Sequence, residues 1–248
     1  MPKHLWFSLV FAALILVGAS PEAHGLPLGE RQAAHFGREV VRTIREIITH
    51  PFESQGDTQV FTLDGKTIRE TVIHSATIVF HGFSASQIER MMADGPSLDS
   101  LQAGKGIEVK RAHITPKAVG ALITREISRV PTNKRIFDKV TVFFQAGQVQ
   151  VSGLVDFRKI PGNLLAFLAR DFSPFTATVA IRQEGSQLHL DIIDAMVNEQ
   201  PMTPELRTQI LAWLNPVWDF SILPYPAHLA GFSYSPDGIR FHGTIFMP

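Results

Sequence analysis

The amino-acid sequence predicts an α+β fold in which helices pack along a curved antiparallel sheet. Three observations carry that expectation. After residue 137 three hairpin patterns follow one another, each an apolar/polar alternation with a Gly in its turn, and Gly supplies the positive φ that tight hairpins need. A Thr-Pro start opens an amphipathic helix twice, at Thr115-Pro116 and at Thr203-Pro204. Thr serves as N-cap there, and Pro is pre-set for the first helical position. Each of these helices leads on to a hairpin, so a helix-plus-hairpin unit recurs along the chain.

The elements follow in order. Residues 28–50 read as a helix, because Phe36, Val40, Val41, Ile44, Ile47 and Ile48 recur at three- and four-residue spacing until Pro51 stops it. Asp64-Gly65 reads as a turn before a strand-like run over 68–83. In that run Val72, His74, Ala76, Ile78 and Phe80 share one face, and Ile73, Ser75, Thr77, Val79 and His81 the other. Ser84 caps a short helix that Gly95-Pro96 closes, and a strand is expected over 106–114. The Thr115 helix buries Val119, Leu122, Ile123 and Ile127, and ends near Arg129-Val130-Pro131.

The first hairpin turns at Ala146-Gly147 and pairs Val140, Val142 and Phe144 with Val149, Val151 and Val155. A short helical piece is expected over 162–172. The second hairpin pairs Phe175, Ala177, Val179 and Ile181 with Leu188, Leu190 and Ile192 across Glu184-Gly185. The Thr203 helix stops at Asn215-Pro216, and a last hairpin turns at Asp237-Gly238. No Pro/Gly/Ser-rich linker divides the chain. The organisation expected is a signal peptide over 1–25, an N-terminal helix and linker over 26–56, and one domain over 57–248.

Composition limits the function classes. With 248 residues, 45% of them hydrophobic and 19% charged, the chain can bury a full core. Lys+Arg and Asp+Glu both total 23, which argues against a nucleic-acid surface. Lys3 and His4 precede an uncharged apolar run over 5–19, and Ala23-His24-Gly25 offers small residues for cleavage, the pattern of an export signal. The run is shorter than the roughly 20 residues that cross a bilayer. The expectation is therefore a soluble periplasmic or cell-envelope protein. The absence of cysteine excludes disulfides, a lipobox anchor and thiolate-bound metal.

A search for catalytic motifs ends without a strong match. Gly82-Phe83-Ser84-Ala85-Ser86 and Gly231-Phe232-Ser233-Tyr234-Ser235 approach the nucleophile elbow but carry Ser where its last Gly is needed. His74 and His81 point to opposite strand faces and make no metal pair. His189 and Asp191 share a face and offer either two ligands or a base with its orienter; an ordinary solvated strand face is the alternative. Asp191 and Asp194 fall on opposite faces if the strand is regular, which disfavours paired acid/base work. Gly104-Lys105-Gly106 lacks P-loop spacing. No enzyme activity, metal or cofactor is expected. The aromatic inventory, 18 Phe against 2 Tyr and 3 Trp, favours wholly apolar surfaces. A sheet curved around an apolar groove and a simple two-layer core both fit it.

The closing third of the chain carries a resemblance. Its elements are Val179-Ala180-Ile181-Arg182-Gln183-Glu184-Gly185-Ser186-Gln187-Leu188, then Pro201-Met202-Thr203-Pro204-Glu205-Leu206, then Leu214-Asn215-Pro216 with Asp219-Phe220. Ile222-Leu223-Pro224-Tyr225 and Pro236-Asp237-Gly238-Ile239-Arg240-Phe241-His242-Gly243 complete the set. In order and spacing this resembles the LmeA-like phospholipid-binding family of bacterial envelope proteins, over residues 65–246 and most closely after 175. Pro226 departs from the pattern, where the family more often has Gly.

The resemblance implies an elongated, strongly twisted antiparallel sheet of helix-hairpin units wrapped on helices, with an apolar groove. It also implies non-enzymatic binding or carriage of phospholipid or another acyl lipid, with peripheral membrane contact. On that footing the expected groove walls are Val142, Phe144, Val151, Val155, Val179, Ile181, Leu190 and Phe241 from strands, with Leu122, Ile123, Leu211 and Leu214 from helices. An envelope scaffold with a filled core and no ligand is the competing expectation. A hydrolase built on His189 and Asp191 is a third.

Overall fold

The computed structural model describes residues 28–131, 135–159, 172–216, 218–223 and 225–247. The signal-peptide expectation over 1–25 lies outside them, as does all but Phe172 of the helical piece expected over 162–172. Helix α1 (Leu28–Ile48) is followed by β1 (Phe52–Gln55), β2 (Thr58–Ile68) and β3 (Thr71–His81), then α2 (Ala85–Asp94), α3 (Leu98–Gln102), β4 (Gly106–Ile114) and α4 (Pro116–Arg129). Next come β5 (Phe137–Gln145), β6 (Gln148–Val155), β7 (Ser173–Glu184), β8 (Gln187–Val197) and β9 (Gln200–Pro201). Helix α5 (Pro204–Leu214), β10 (Trp218–Asp219), β11 (Ala227–Ser235) and β12 (Gly238–Ile245) close the chain.

The fold is α+β with twisted antiparallel sheets, and the strands divide into two sheets. The first runs β1-β2-β3-β4-β12-β11; the second runs β10-β8-β7-β6-β5, with β9 also on β8. The final hairpin thus leaves its neighbours in sequence and pairs with β4, placing Arg240 opposite His113 and Phe241 opposite Ala112. Gly238 begins β12 at φ 126, where a Cβ would fall 2.0 Å from the Ile114 carbonyl oxygen. Only glycine allows that approach.

The helix starts form as their chemistry predicts. Thr115 Oγ1 accepts from the Ala118 N–H at 3.4 Å and Thr203 Oγ1 from the Leu206 N–H at 3.3 Å, each with Pro in the first turn. Ser84 closes a full capping box with Gln87. The Ser-rich loop after Pro96 forms a further helix, α3, because Ser97 and Ser100 cap each other in the same way.

One turn differs from expectation, for a physical reason. Asp64-Gly65 lies inside β2, and the chain reverses at Arg69 (φ 50) and Glu70 (φ 63). Gly65, at φ 64, marks a switch in which side of the strands faces inward. Phe61 and Leu63 are buried before it and Ile68 after it; on β3, Ala76, Ile78 and Phe80 are buried on one side of the switch and Ile73 and Thr71 on the other. Val72 and His74, expected to share the face of Ala76, are exposed.

The reversal puts two non-glycine residues in the left-handed region, which costs about 1–2 kcal/mol each. Ion pairs from two helices hold it. Glu39 of α1, 2% exposed, accepts from Arg69 Nη2 and Arg42 Nη1 at 2.8 Å each. Glu46 Oε2 accepts the Arg69 backbone N–H at 2.6 Å, and Arg125 of α4 donates to the Arg69 carbonyl at 2.9 Å. The β2–β3 end is thereby locked beneath α1 and α4, whose Val40, Ile44, Ile47, Val119 and Leu122 fill the core.

Two outcomes follow from this packing. Phe241→Ala, at a side chain 2% exposed, is expected to lower unfolding free energy by about 3–5 kcal/mol in urea titration. In the β8–β9 turn, Asn198 (φ 49) and Glu199 (φ 62) are also left-handed, and Glu199 is exposed. Glu199→Gly is expected to raise stability by about 0.5–1 kcal/mol; a lower urea midpoint would contradict this account of the turn.

Candidate functional site

Period-two alternation gives the second sheet two unlike faces. Across β5, β6, β7 and β8, Val142, Val151, Ala177 and Ala195 stand in one row, and Phe144, Val149, Val179 and Ile192 in the next; Ile181 sits opposite Leu190 further along. Thr141, Ser152 and Thr176 occupy the other face with Met196, and Gln150, Thr178 and Asp194 with Phe143; Phe143 and Met196 are exposed there. A β-bulge at Ile193 keeps β8 in phase, moving the inward positions from Leu188, Leu190 and Ile192 to Ala195 and Val197. It also corrects a sequence expectation: Asp191 and Asp194 fall on the same outer face, because the strand is not regular.

Among the described residues α4 packs at β5, and two further elements meet the apolar face at its ends. Helix α5 packs against β8 and sends Ile210 and Leu214 into the buried cluster. Asn215, just past its end, grips β8 by a pair of bonds, accepting the Leu190 N–H and donating to the Leu190 carbonyl, both at 2.8 Å. At the other side β11 meets the sheet through Tyr234. Its hydroxyl accepts the Ile181 N–H at 3.2 Å and donates to the Gly147 carbonyl at 3.0 Å, with its ring 6.5 Å from Phe144. Gln183 Nε2 donates to the Leu229 carbonyl at 2.6 Å along the same seam.

On this sheet Val142, Val151, Phe175, Ala177, Ile181, Leu190, Ile192 and Val197 are only half-buried, although they pack against the core. The expected wall residues therefore divide. Val142, Val151, Ile181 and Leu190 belong to this half-open face, and Leu211 is half-buried on α5. Phe144, Val155, Val179 and Leu214 are closed into the core beside it. Leu122, Ile123 and Phe241 are buried in the core with α4 and the first sheet. Ala177, Ile192 and Phe175 were not among the expected wall residues, although the second hairpin's alternation contained all three. A separate open depression of about 390 Å³ is lined by Phe220, Ser221, Leu223, Tyr225, Pro226 and Ala227, none of them an expected wall residue. Burial pushes the Tyr225 phenol above its ordinary pKa, and its buried hydroxyl has no hydrogen-bond partner.

The polar groups have structural partners. Asp191 is held by Arg182, whose hydrogen bonds pull its carboxyl below the usual carboxylate range; His189 Nε2 bonds Gln187 Oε1 at 3.0 Å. Burial raises the Asp219 carboxyl, but bonds from Ser221 and Gln187 outweigh it and leave the group lowered. Asp156, 0% exposed at the end of β6, accepts from Arg158 Nε and Nη2 at 2.9 Å each and lies 3.3 Å from Lys159 Nζ. Among the described residues no group of three or more His, Cys, Asp or Glu could hold a metal ion, and no helix is long and apolar enough to cross a membrane.

Fold and site together define an α+β protein of two antiparallel sheets, one with a half-open apolar face. Comparison with protein-family models, curated proteins and solved structures finds no match.

The Asp156 carboxyl titrates below its ordinary value chiefly because Arg158 hydrogen-bonds it. A lowered folded pKa contributes stability above the unfolded value, near 4, that is lost as pH falls through the folded one. Asp156→Asn is accordingly expected to cost about 1–3 kcal/mol at pH 7, a difference that shrinks below pH 4 in urea titrations.

Proposed function

We propose that this protein binds or carries phospholipid, with an acyl chain lying on the apolar face of the second sheet. The observation that carries the reading is a set of half-buried side chains on one face, Val142, Val151, Ala177, Ile181, Leu190 and Ile192, flanking the buried Phe144, Val149 and Val179. They are apolar and come from three neighbouring rows across β5–β8, and among the described residues α4 packs at β5, α5 at β8 and β11 at the Tyr234 seam. Apolar area left accessible there gains free energy when a hydrocarbon covers it. A chain of about 16 carbons at about 0.8 kcal/mol per CH₂ gives a gross gain near 12 kcal/mol, enough to survive purification. The resemblance of the closing third to the LmeA-like family supports the same ligand class, and the sequence pattern over 1–25, read as an export signal, supports a periplasmic or envelope setting. The reading involves no bond-breaking step.

A scaffold without a ligand is favoured by one observation: Leu122, Ile123, Phe144, Val155, Val179, Leu214 and Phe241 are already closed among protein side chains. Lipid extraction and mass spectrometry of the purified protein separate the two. Co-purifying phospholipid, or uptake from vesicles that Val151→Glu abolishes while the far-UV spectrum is kept, is the expected result. A lipid-free sample that takes up nothing would leave the scaffold reading.

A further inference from the structure

Among the described residues Arg207 has no acceptor for its charge. Its Nε is buried without a hydrogen-bond partner, and no carboxylate pairs with its guanidinium among the described residues. Elsewhere the pattern is different: Asp191 holds Arg182, Asp156 holds Arg158 and Asp138 holds Arg135. Helical spacing places Arg207 three and seven residues before Ile210 and Leu214, on the side of α5 that enters the apolar cluster. That helix packs against β8, where Leu190 and Ile192 are half-buried. The chain thus keeps an unpaired, partly desolvated cation beside an apolar face.

A buried donor without an acceptor destabilises the free protein. Its retention makes sense if a ligand supplies the acceptor. Guanidinium presents a planar fork of N–H donors that matches two oxygens of one phosphate, and such charge-assisted pairs strengthen where water is excluded. We propose that Arg207 anchors the phosphate of a bound phospholipid whose acyl chain lies across Leu190, Ile192 and Val151. The inference rests on the acyl-binding reading above and adds to it a recognised headgroup and the residue that recognises it.

The test titrates the full chain and its Arg207→Met and Arg207→Lys variants with dioctanoyl phosphatidylglycerol, dioctanoylglycerol and inorganic phosphate. The wild type is expected to bind the phospholipid about tenfold or more tightly than the diacylglycerol. Arg207→Met should erase that preference with diacylglycerol affinity kept within about twofold, and Arg207→Lys, a point charge without the fork, should retain part of it. The ligand-free Met variant should melt no lower than wild type, since it loses an unsatisfied donor; a purely structural arginine would lower it. An unchanged preference in both variants would overturn the proposal, as would inorganic phosphate protecting the fold as well as phospholipid does. Failure of the wild type to bind either lipid would instead remove the acyl-binding reading itself.

Discussion

The ladder between β12 and β4 is the constraint on which the other parts depend. It joins segments far apart in sequence; the bond between His113 Nε2 and the Asp237 carbonyl spans 124 residues. Closing so long a loop is entropically costly, and hydrophobic contact must offset it. Phe241, Ile239 and Ile245 supply that contact against Ala112, Ile114 and Ile107, with Gly238 permitting the close approach. Once β12 is docked, β11 becomes the edge of the first sheet and carries Tyr234 to the second.

The second sheet is shaped by what its edges and ends must satisfy. Along its outer side β8 pairs with β9 at one end and β10 at the other, while Asn215 supplies the missing bonds between them at Leu190. Side-chain amide thus stands in for strand, so the edge offers few free backbone groups for pairing with another chain. On the opposite side Tyr234 satisfies the Ile181 N–H, where β6 no longer reaches β7. The β8 edge and the end of β7 are thus satisfied while the apolar face remains half-open.

Much of the local architecture was legible. The Thr115 and Thr203 caps, the Ser84 capping box and the 106–114 strand obey short-range rules, and so do the turns at Ala146-Gly147 and Gly185. Those rules depend on side chains within a few residues of the backbone they satisfy. The bulge at Ile193 and the inward switch at Gly65 were not legible, because each is a response to a partner strand. Without the bulge Asp191 and Asp194 point apart; with it they share a face. The Arg69-Glu70 reversal was hidden for the same reason, since nothing local favours two left-handed residues there and the stabilising Glu39, Glu46 and Arg125 come from two other helices.

By itself the sequence determined the class of elements, their order, most of their boundaries and the apolar alternation that makes the second sheet two-faced. Period and cap chemistry are properties of a segment and its immediate neighbours. Tertiary structure alone decided that the strands form two sheets, that the last hairpin returns to β4, and which apolar residues are closed in and which are left half-open. Leu122 and Val151 look alike in a pattern of alternation or helical spacing. They part company because one is enclosed in a completed core and the other stays half-buried on the second sheet.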